Sequence, residues 1–391
     1  SVHDLGSAGE EGDGLVEALS RDAAAVVADD WPCVDAPRAA LDLARRLDRR
    51  LELVDSCGIA PVRAAGREHA TAHGFRRWLQ RLLPEQLGRF PAPDPLARID
   101  LPRVEIADRV LERWPPAKLD GRSLDRLDLP GPPRVPGATG GPRAGRALLA
   151  RFVEERLAGY DARRNHPDEA ATSGLSPYLH WGHVSAHEVV ARVLEARDWT
   201  PLLLGDARGA RRGFWGLDSA SEGFLDQVIT WRELGFNACV ERPADHHRYA
   251  GLPAWARATL EEHADDVRPA LYPLARLEAA QTADPLWNAA QRQLVAAGAI
   301  HSYLRMLWGK RILEWTEHPA AAHAAMVELN DRYALDGCDP NSYSGIAWCL
   351  GKYDRPWGPE RPVFGKVRYM TSRSARRKLR LDGYLARWGE G

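Results

Sequence analysis

The sequence predicts a two-part molecule: an N-terminal α/β domain on a partial, Rossmann-like parallel sheet, followed by a large all-α domain. Three observations carry this. The first sixty residues or so alternate strand and helix patterns. The stretch 128–145 is saturated with proline and glycine. From Arg146 onward, apolar residues recur at helical spacing.

The elements follow in order. "GLVEALSRD" reads as a helix, "AAAVVADDW" as a buried strand, "APRAALDLARRLDRR" as a helix and "LELVDS" as a second strand. Two strands are few for a parallel sheet, whose faces are normally both covered. The sequence opens without Met, so the expectation is either further strands upstream or a reduced domain. Residues 67–90 read as a helix, and prolines crowd the chain from Pro91 to Pro116. "DLPGPPRVPGATGGPRAG" (128–145) breaks any regular element, and its glycines lack the strand–turn–helix order of a phosphate-binding loop. The expected division is therefore a partial α/β domain over 1–115, a linker over 116–145 and a helical domain over 146–391.

Within the helical part, "GRALLARFVEERLAGYDARR" has period-3.6 apolar spacing. "SAHEVVARVLEARD" opens with a capping box, Ser185 and Glu188. "DPLWNAAQRQLVAAG" places Asp284 as N-cap, Pro285 at the first helical position and Gly298 as the stop. "SYLRMLWGKRILEWTEHP" is the next helix and ends before Pro319.

Composition narrows the function classes. The chain has 391 residues, 45% hydrophobic and 27% charged, enough for two domains with a sizeable core. No apolar run approaches a membrane span and no signal segment opens the sequence, so a cytoplasmic protein is expected. The abundance of Ala, Arg and Gly suggests a GC-rich bacterial genome. Five scattered cysteines without a CxxC argue against a disulfide framework, a zinc site or an iron–sulfur cluster. His246 and His247 are adjacent, with no third ligand evident, and no metal is expected. Net charge is −1, yet residues 361–391 hold nine Lys/Arg against Asp382 and Glu390, which suits a polyanion surface or a solvated helical face equally.

Tryptophan is the second oddity, at fourteen against seven Phe. Trp308 and Trp315 are seven residues apart on one predicted helix, and Trp287 precedes Trp308 by 21. Seven residues make almost two turns, so Trp308 and Trp315 share a face roughly 10 Å apart along the axis. Taken alone this is a buried stripe. With a redox cofactor beside it, the same spacing is an electron relay.

The residues carry a family resemblance. "TSGLSPYLHWGHVSA" (172–186) is similar to the flavin-phosphate segment of the photolyase/cryptochrome family. "TADPLWNAAQRQLVAAGAIHSYLRMLWGKRILEWT" and "LNDRYALDGCDPNSYSGIAWCLGKYDRPWGPERPVFGKVRYM" resemble the class II cyclobutane pyrimidine dimer photolyases in particular. The similarity runs, with gaps, from "VVADDWP" to the end and is densest over 284–370. The first strands of the family's antenna domain are not found in this sequence. The second, antenna chromophore stays open.

The resemblance implies an FAD-binding helical domain whose cofactor works as FADH⁻. Ser173, Gly174, Leu175, Ser176 and Pro177 match the pyrophosphate turn, a fitting cradle of hydroxyls and N–H groups. Tyr160, Arg164 and Asn165 join it. Arg305 and Asp336 match the pair set against the isoalloxazine, Asn330 the amide beside flavin N5, and Asp339 and Asn341 the adenine–ribityl side. The implied relay runs from Trp308, nearest the flavin, through Trp287 to Trp315 at the surface.

The implied substrate is DNA containing a pyrimidine dimer, flipped out of the duplex; base flipping is known for photolyases as a class. Trp231, Tyr272 and Trp348 match dimer-facing aromatics. Arg355, Trp357 and Arg368 match the residues that fill the gap in the duplex and grip phosphate, with Lys366 adding a contact. One departure stands out. The family's glutamate four residues before the Trp231 position is here Gln227, preceded by Asp226. An amide hydrogen-bonds carbonyl and imide groups but brings no charge. Reduced repair is expected, unless a shift lets Asp226 substitute. The expected activity is light-driven dimer splitting by a monomeric lyase. The alternative is a cryptochrome-like blue-light sensor, which needs the same pocket and relay but not the DNA-gripping residues.

Overall fold

The computed structural model describes residues 14–100, 105–116 and 134–389. The linker expected over 116–145 lies outside the described residues for 117–133. By its contacts the chain divides into two compact units, one holding residues 1–31, 35–56 and 91–133, the other 32–34, 57–90 and 134–391. The second unit thus takes in 57–90, which the sequence alone groups with the α/β part.

In the first unit, β1 (Ala25–Asp29) pairs in parallel with β2 (Arg50–Val54), in register from Ala25↔Arg50 to Asp29↔Val54. Helix Ala36–Arg46 makes the crossover that a parallel pair requires. These are the only strands among the described residues. Val27 is 67% exposed, so the sheet is not covered on both faces there. A small core joins Leu15 of helix Leu15–Ser20 to Val110 and Trp114, at helix Asp108–Arg113.

The second unit is helical, with two cores. One collects helices Ala72–Gln86, Pro142–Arg151, Ala186–Glu195, Ser219–Leu225 and Arg232–Glu241 around Phe75, Phe152 and Phe224. The other collects Pro285–Ala297, Ser302–Trp315, Pro319–Tyr333 and Pro340–Cys349 around Trp287, Trp308 and Trp315. The helix ends follow the sequence signals. Asp284 accepts from the Leu286 and Trp287 N–H groups, Ser185 accepts from Glu188 N–H, and Gly298 closes its helix with φ 63°.

Three boundaries differ from expectation. Pro142 opens a helix inside the expected linker, because proline is preorganised for the first helical position. The single helix expected over 145–164 instead passes through a π-helical turn at Phe152–Arg156 and a 3₁₀ turn at Leu157–Gly159 before Tyr160–Arg163. A second π turn, Asp226–Trp231, interrupts the helix through 219–241. Neither turn follows from a 3.6-residue pattern.

Candidate functional site

Two adjoining hollows of about 740 and about 300 Å³ share Tyr160, Ser173, Ser176, Gln227, Ser302 and Asp336 among their walls and form one cleft in the helical unit. The volume suits a large organic ligand. Of the residues matched to the cofactor, Tyr160, Arg164, Arg305, Asp336 and the whole turn Ser173–Pro177 line the larger hollow. Asp339 and Asn341 line the smaller one. Asn165 lies outside both linings, and Asn330 reaches the cleft only through Arg305.

The polar groups of the cleft are tied together. Arg305 Nη1 donates to Asn330 Oδ1 at 2.5 Å, and Arg305 Nη2 lies 3.8 Å from Asp336 Oδ1. The Ser176 hydroxyl donates to the Asp336 carboxylate. Asn330 Nδ2 donates to Asp331 Oδ1 at 3.1 Å, which fixes the orientation of the amide. His180 Nδ1 stands 3.0 Å from Asp339 Oδ2. Arg164 stacks over the Tyr160 ring at 5.4 Å, and burial pushes the Tyr160 phenol up, so it stays a neutral hydroxyl. Helix Ser176–His180 spans only five residues, so an anion at this turn would rest on the turn's own hydroxyls and N–H groups rather than on a helix dipole.

Four of the lining residues were not legible in the sequence. Ala138, Thr139 and Gly140 of the proline- and glycine-rich stretch line the larger hollow, although that stretch reads as a linker without a nucleotide role. Tyr178 donates its hydroxyl to Thr139 O at 2.7 Å and Gly141 N–H donates to His183 Nδ1 at 3.1 Å, which holds the length of chain there. His301 also lines the hollow, with its pKa pushed down to about 4 by burial. No motif marks any of them.

The substrate-side residues divide. Gln227 lines both hollows, and Trp231, one turn on, stacks on Trp348 with ring centroids 4.6 Å apart and planes 14° apart. Gly235 makes this possible: a Cβ there would sit 2.9 Å from Pro340 O, so its helix lies backbone to backbone against Pro340–Cys349. Trp348 Nε1 is a buried donor without a partner among the described residues. Asp226 is not available to replace Gln227. It is buried, and Arg76 Nε and Nη2 grip its two oxygens at 2.6 and 3.1 Å.

Tyr272 is not with the other matched aromatics. It packs edge-on against Trp315 at 5.3 Å, and both line a separate groove of about 480 Å³. Trp357 projects at 38% exposure between the guanidinium groups of Arg355 and Arg368, at 5.0 and 5.4 Å. Lys366 is paired with Glu360 at 2.8 Å rather than held free for phosphate.

The tryptophans form a connected set. Trp287 Nε1 donates to Trp308 O at 3.0 Å, and the Trp287 and Trp315 rings are 5.5 Å apart. Trp308 Nε1 donates to Gln291 Oε1 at 2.8 Å, and Trp308 stands one turn beyond Arg305 on the same helix. Trp315, expected at the surface, is 4% exposed, covered by Tyr272 and by Arg311 stacked at 4.6 Å.

The sequence shows no third ligand beside His246 and His247; in the fold, Cys33, Cys239 and His246 meet in the interior of the helical unit. Among the described residues, no helix is long and apolar enough to cross a membrane.

Comparison with known proteins gives the family. No family model matches the chain. It is 36% identical over 338 residues to a deoxyribodipyrimidine photo-lyase of Methanothermobacter thermautotrophicus, 35% over 342 to one of Arabidopsis thaliana, and 40% over 246 to one of Potorous tridactylus. These alignments take in 86%, 85% and 63% of this chain, and 68%, 63% and 43% of the relatives. The chain therefore spans about two thirds, or less, of the length of these relatives. The fold is similar to the crystal structure of a bacterial class III photolyase from Agrobacterium tumefaciens, with TM-score 0.65 at 16% identity over 97% of this chain and 71% of that one. The archaeal match runs over most of both chains, and on that ground this chain belongs to the deoxyribodipyrimidine photo-lyase family.

Proposed function

We propose that this chain repairs cyclobutane pyrimidine dimers in DNA, using light and an FAD held in the cleft, as a photolyase of the class II type. The observation that carries the reading is a convergence. Gln227 belongs at once to the wall of the cleft and to the turn that carries Trp231, so a ligand in the cleft and a base against Trp231 and Trp348 would be neighbours.

The residues present fit FAD. Ser173, Ser176 and the backbone of their turn would hold the pyrophosphate, with Arg164 near enough to add charge. Arg305, oriented by Asn330 and Asp336, would set a positive charge against the ring system. When bound and reduced, the cofactor would supply the photoexcited electron that splits the two intradimer C–C bonds. The chain's own work is to bind, orient and exclude water. Trp231 and Trp348 offer an apolar wall, and the unpartnered Trp348 Nε1 and the Gln227 amide offer hydrogen bonds to base carbonyls. The Trp231–Trp348 stack would have to part, or present its outer face, to admit a dimer. Trp357, braced by two arginines, would enter the vacated duplex.

The test is anaerobic illumination of the FAD-reconstituted, reduced protein with an oligonucleotide containing one dimer. Nucleobase absorbance should recover in the light and not in the dark. An unchanged lesion with fully reduced cofactor bound would sink the proposal.

A further inference from the structure

Cys33, Cys239 and His246 take no part in the cleft, yet they converge. All three are buried, at 2%, 1% and 5% exposure, and their two sulfurs and one ring nitrogen lie within 4.8 Å of one another. Cys33 Sγ is 3.7 Å from His246 Nε2. Cys33 belongs to Pro32–Val34, the short segment that packs as part of the helical unit. Cys239 lies near the end of helix Arg232–Glu241, and His246 in the turn that follows.

Both spacing and tautomer suit a metal. With Zn–S near 2.3 Å and Zn–N near 2.0–2.1 Å, tetrahedral ligands sit roughly 3.5–3.8 Å apart. The Cys33–His246 separation is already in that range. His246 Nδ1 lies 3.1 Å from Arg242 O, a main-chain oxygen that can only accept, so Nδ1 carries the proton. The Nε2 lone pair is thereby left facing Cys33. A ring nitrogen tied to a carbonyl, with the other directed inward, is how proteins orient a metal-binding imidazole.

We propose that Cys33, Cys239 and His246 bind one zinc ion as a structural site. The charge balance favours a divalent over a monovalent metal, and the thiolate–imidazole set suits zinc. On binding, each thiol loses its proton to solvent, and two thiolates with a neutral imidazole then cancel the charge of a divalent cation. A buried site would be left neutral, whereas monovalent copper would leave one uncompensated negative charge. The Cys338 carbonyl, 3.7 Å from Cys33 Sγ, is a further oxygen beside the cluster. Cys338 directly precedes Asp339, which lines the smaller hollow, so zinc would brace the cleft wall from behind. It would also join residues 206 and 213 positions apart in the chain, tying Pro32–Val34 to the helical core.

The test uses the full chain, purified under thiol reductant without added metal. Elemental analysis should find one zinc per chain. Zinc-edge X-ray absorption should show sulfur at about 2.3 Å and nitrogen at about 2.0 Å. Cys33→Ser and Cys239→Ser should each lower zinc affinity by at least about tenfold. Should a variant fail to fold, the wild type gives a second measurement: chelation should lower its melting temperature, and one equivalent of zinc, but not magnesium, should restore it. The proposal is overturned by a chain that neither carries zinc nor responds to it. Copper bound in preference to zinc would overturn the charge argument. A Cys33–Cys239 disulfide in the protein as isolated, seen by thiol alkylation and mass, would show that the pair is held together by oxidation instead.

Discussion

Asp226→Asn is expected to destabilise the helical unit far more than a single charge usually does. The Asp226 and Arg76 side chains are only 5% and 7% exposed, and they meet through two hydrogen bonds of 2.6 and 3.1 Å. Asparagine keeps the shape but removes the charge, and it turns one acceptor into a donor that faces the guanidinium. Arg76 is left as a buried cation with Gly209 O, at 3.3 Å, as an acceptor. Arg211 sits 3.8 Å from the same carboxylate and becomes a repulsive neighbour, although it is 53% exposed and largely screened. Breaking a buried pair by removing one partner costs roughly 3–5 kcal/mol. We expect about 4 kcal/mol, close to a thousandfold in the folding equilibrium. The assay is urea unfolding followed by tryptophan fluorescence, with a double-mutant cycle of Asp226→Leu, Arg76→Met and Arg76→Met/Asp226→Leu run beside it. Each single change should be costly and the double change much less so, because an apolar pair of similar volume replaces the ion pair. A single-variant loss below about 1 kcal/mol, the range of exposed pairs, would refute the reasoning. The outcome bears on the site, since Asp226 opens the π turn that carries Gln227 and Trp231.

Four further outcomes are expected. Gln227→Glu, which restores a carboxylate on the cleft wall, should raise the quantum yield of repair; an unchanged yield would show that this position does not limit the reaction. Trp308→Phe should slow photoreduction severely while leaving repair by chemically pre-reduced cofactor intact, and should cost roughly 1–3 kcal/mol because Gln291 Oε1 loses its donor. Burial holds His301 and His323 at about 4, below the usual 6.5, so the unfolded chain binds more protons between these values. Stability should be complete above about pH 6.5 and fall towards pH 4, by roughly 3 kcal/mol per histidine; His301→Gln and His323→Gln should each flatten the acid limb of a pH–stability curve, and an unaltered limb would refute the assignment. Arg368→Ala should weaken DNA binding and lower the log–log salt slope by about 1, measured by fluorescence anisotropy across salt concentrations.

What the sequence determined on its own was whatever is written locally. The alternation of strand and helix in the first unit, the Asp284 and Ser185 caps, the Gly298 stop and the shared helix of Trp308 and Trp315 all depend on neighbours within a few residues. The turn that the resemblance matches to the flavin phosphates, Ser173–Pro177, lines the cleft beside Arg305 and Asp336. Tertiary structure decided what depends on partners far along the chain. Asp226 and Gln227 are adjacent polar residues, yet Arg76, 150 residues away, locks the first into the core while the second faces the cleft. Trp315 and Tyr272 cover one another through packing between separate segments. Cys33, Cys239 and His246 come together without any ligand spacing to announce them. A cap is a contact over three residues and leaves a pattern, whereas a pair or cluster closed across some two hundred residues is set by how helices stack, and leaves none.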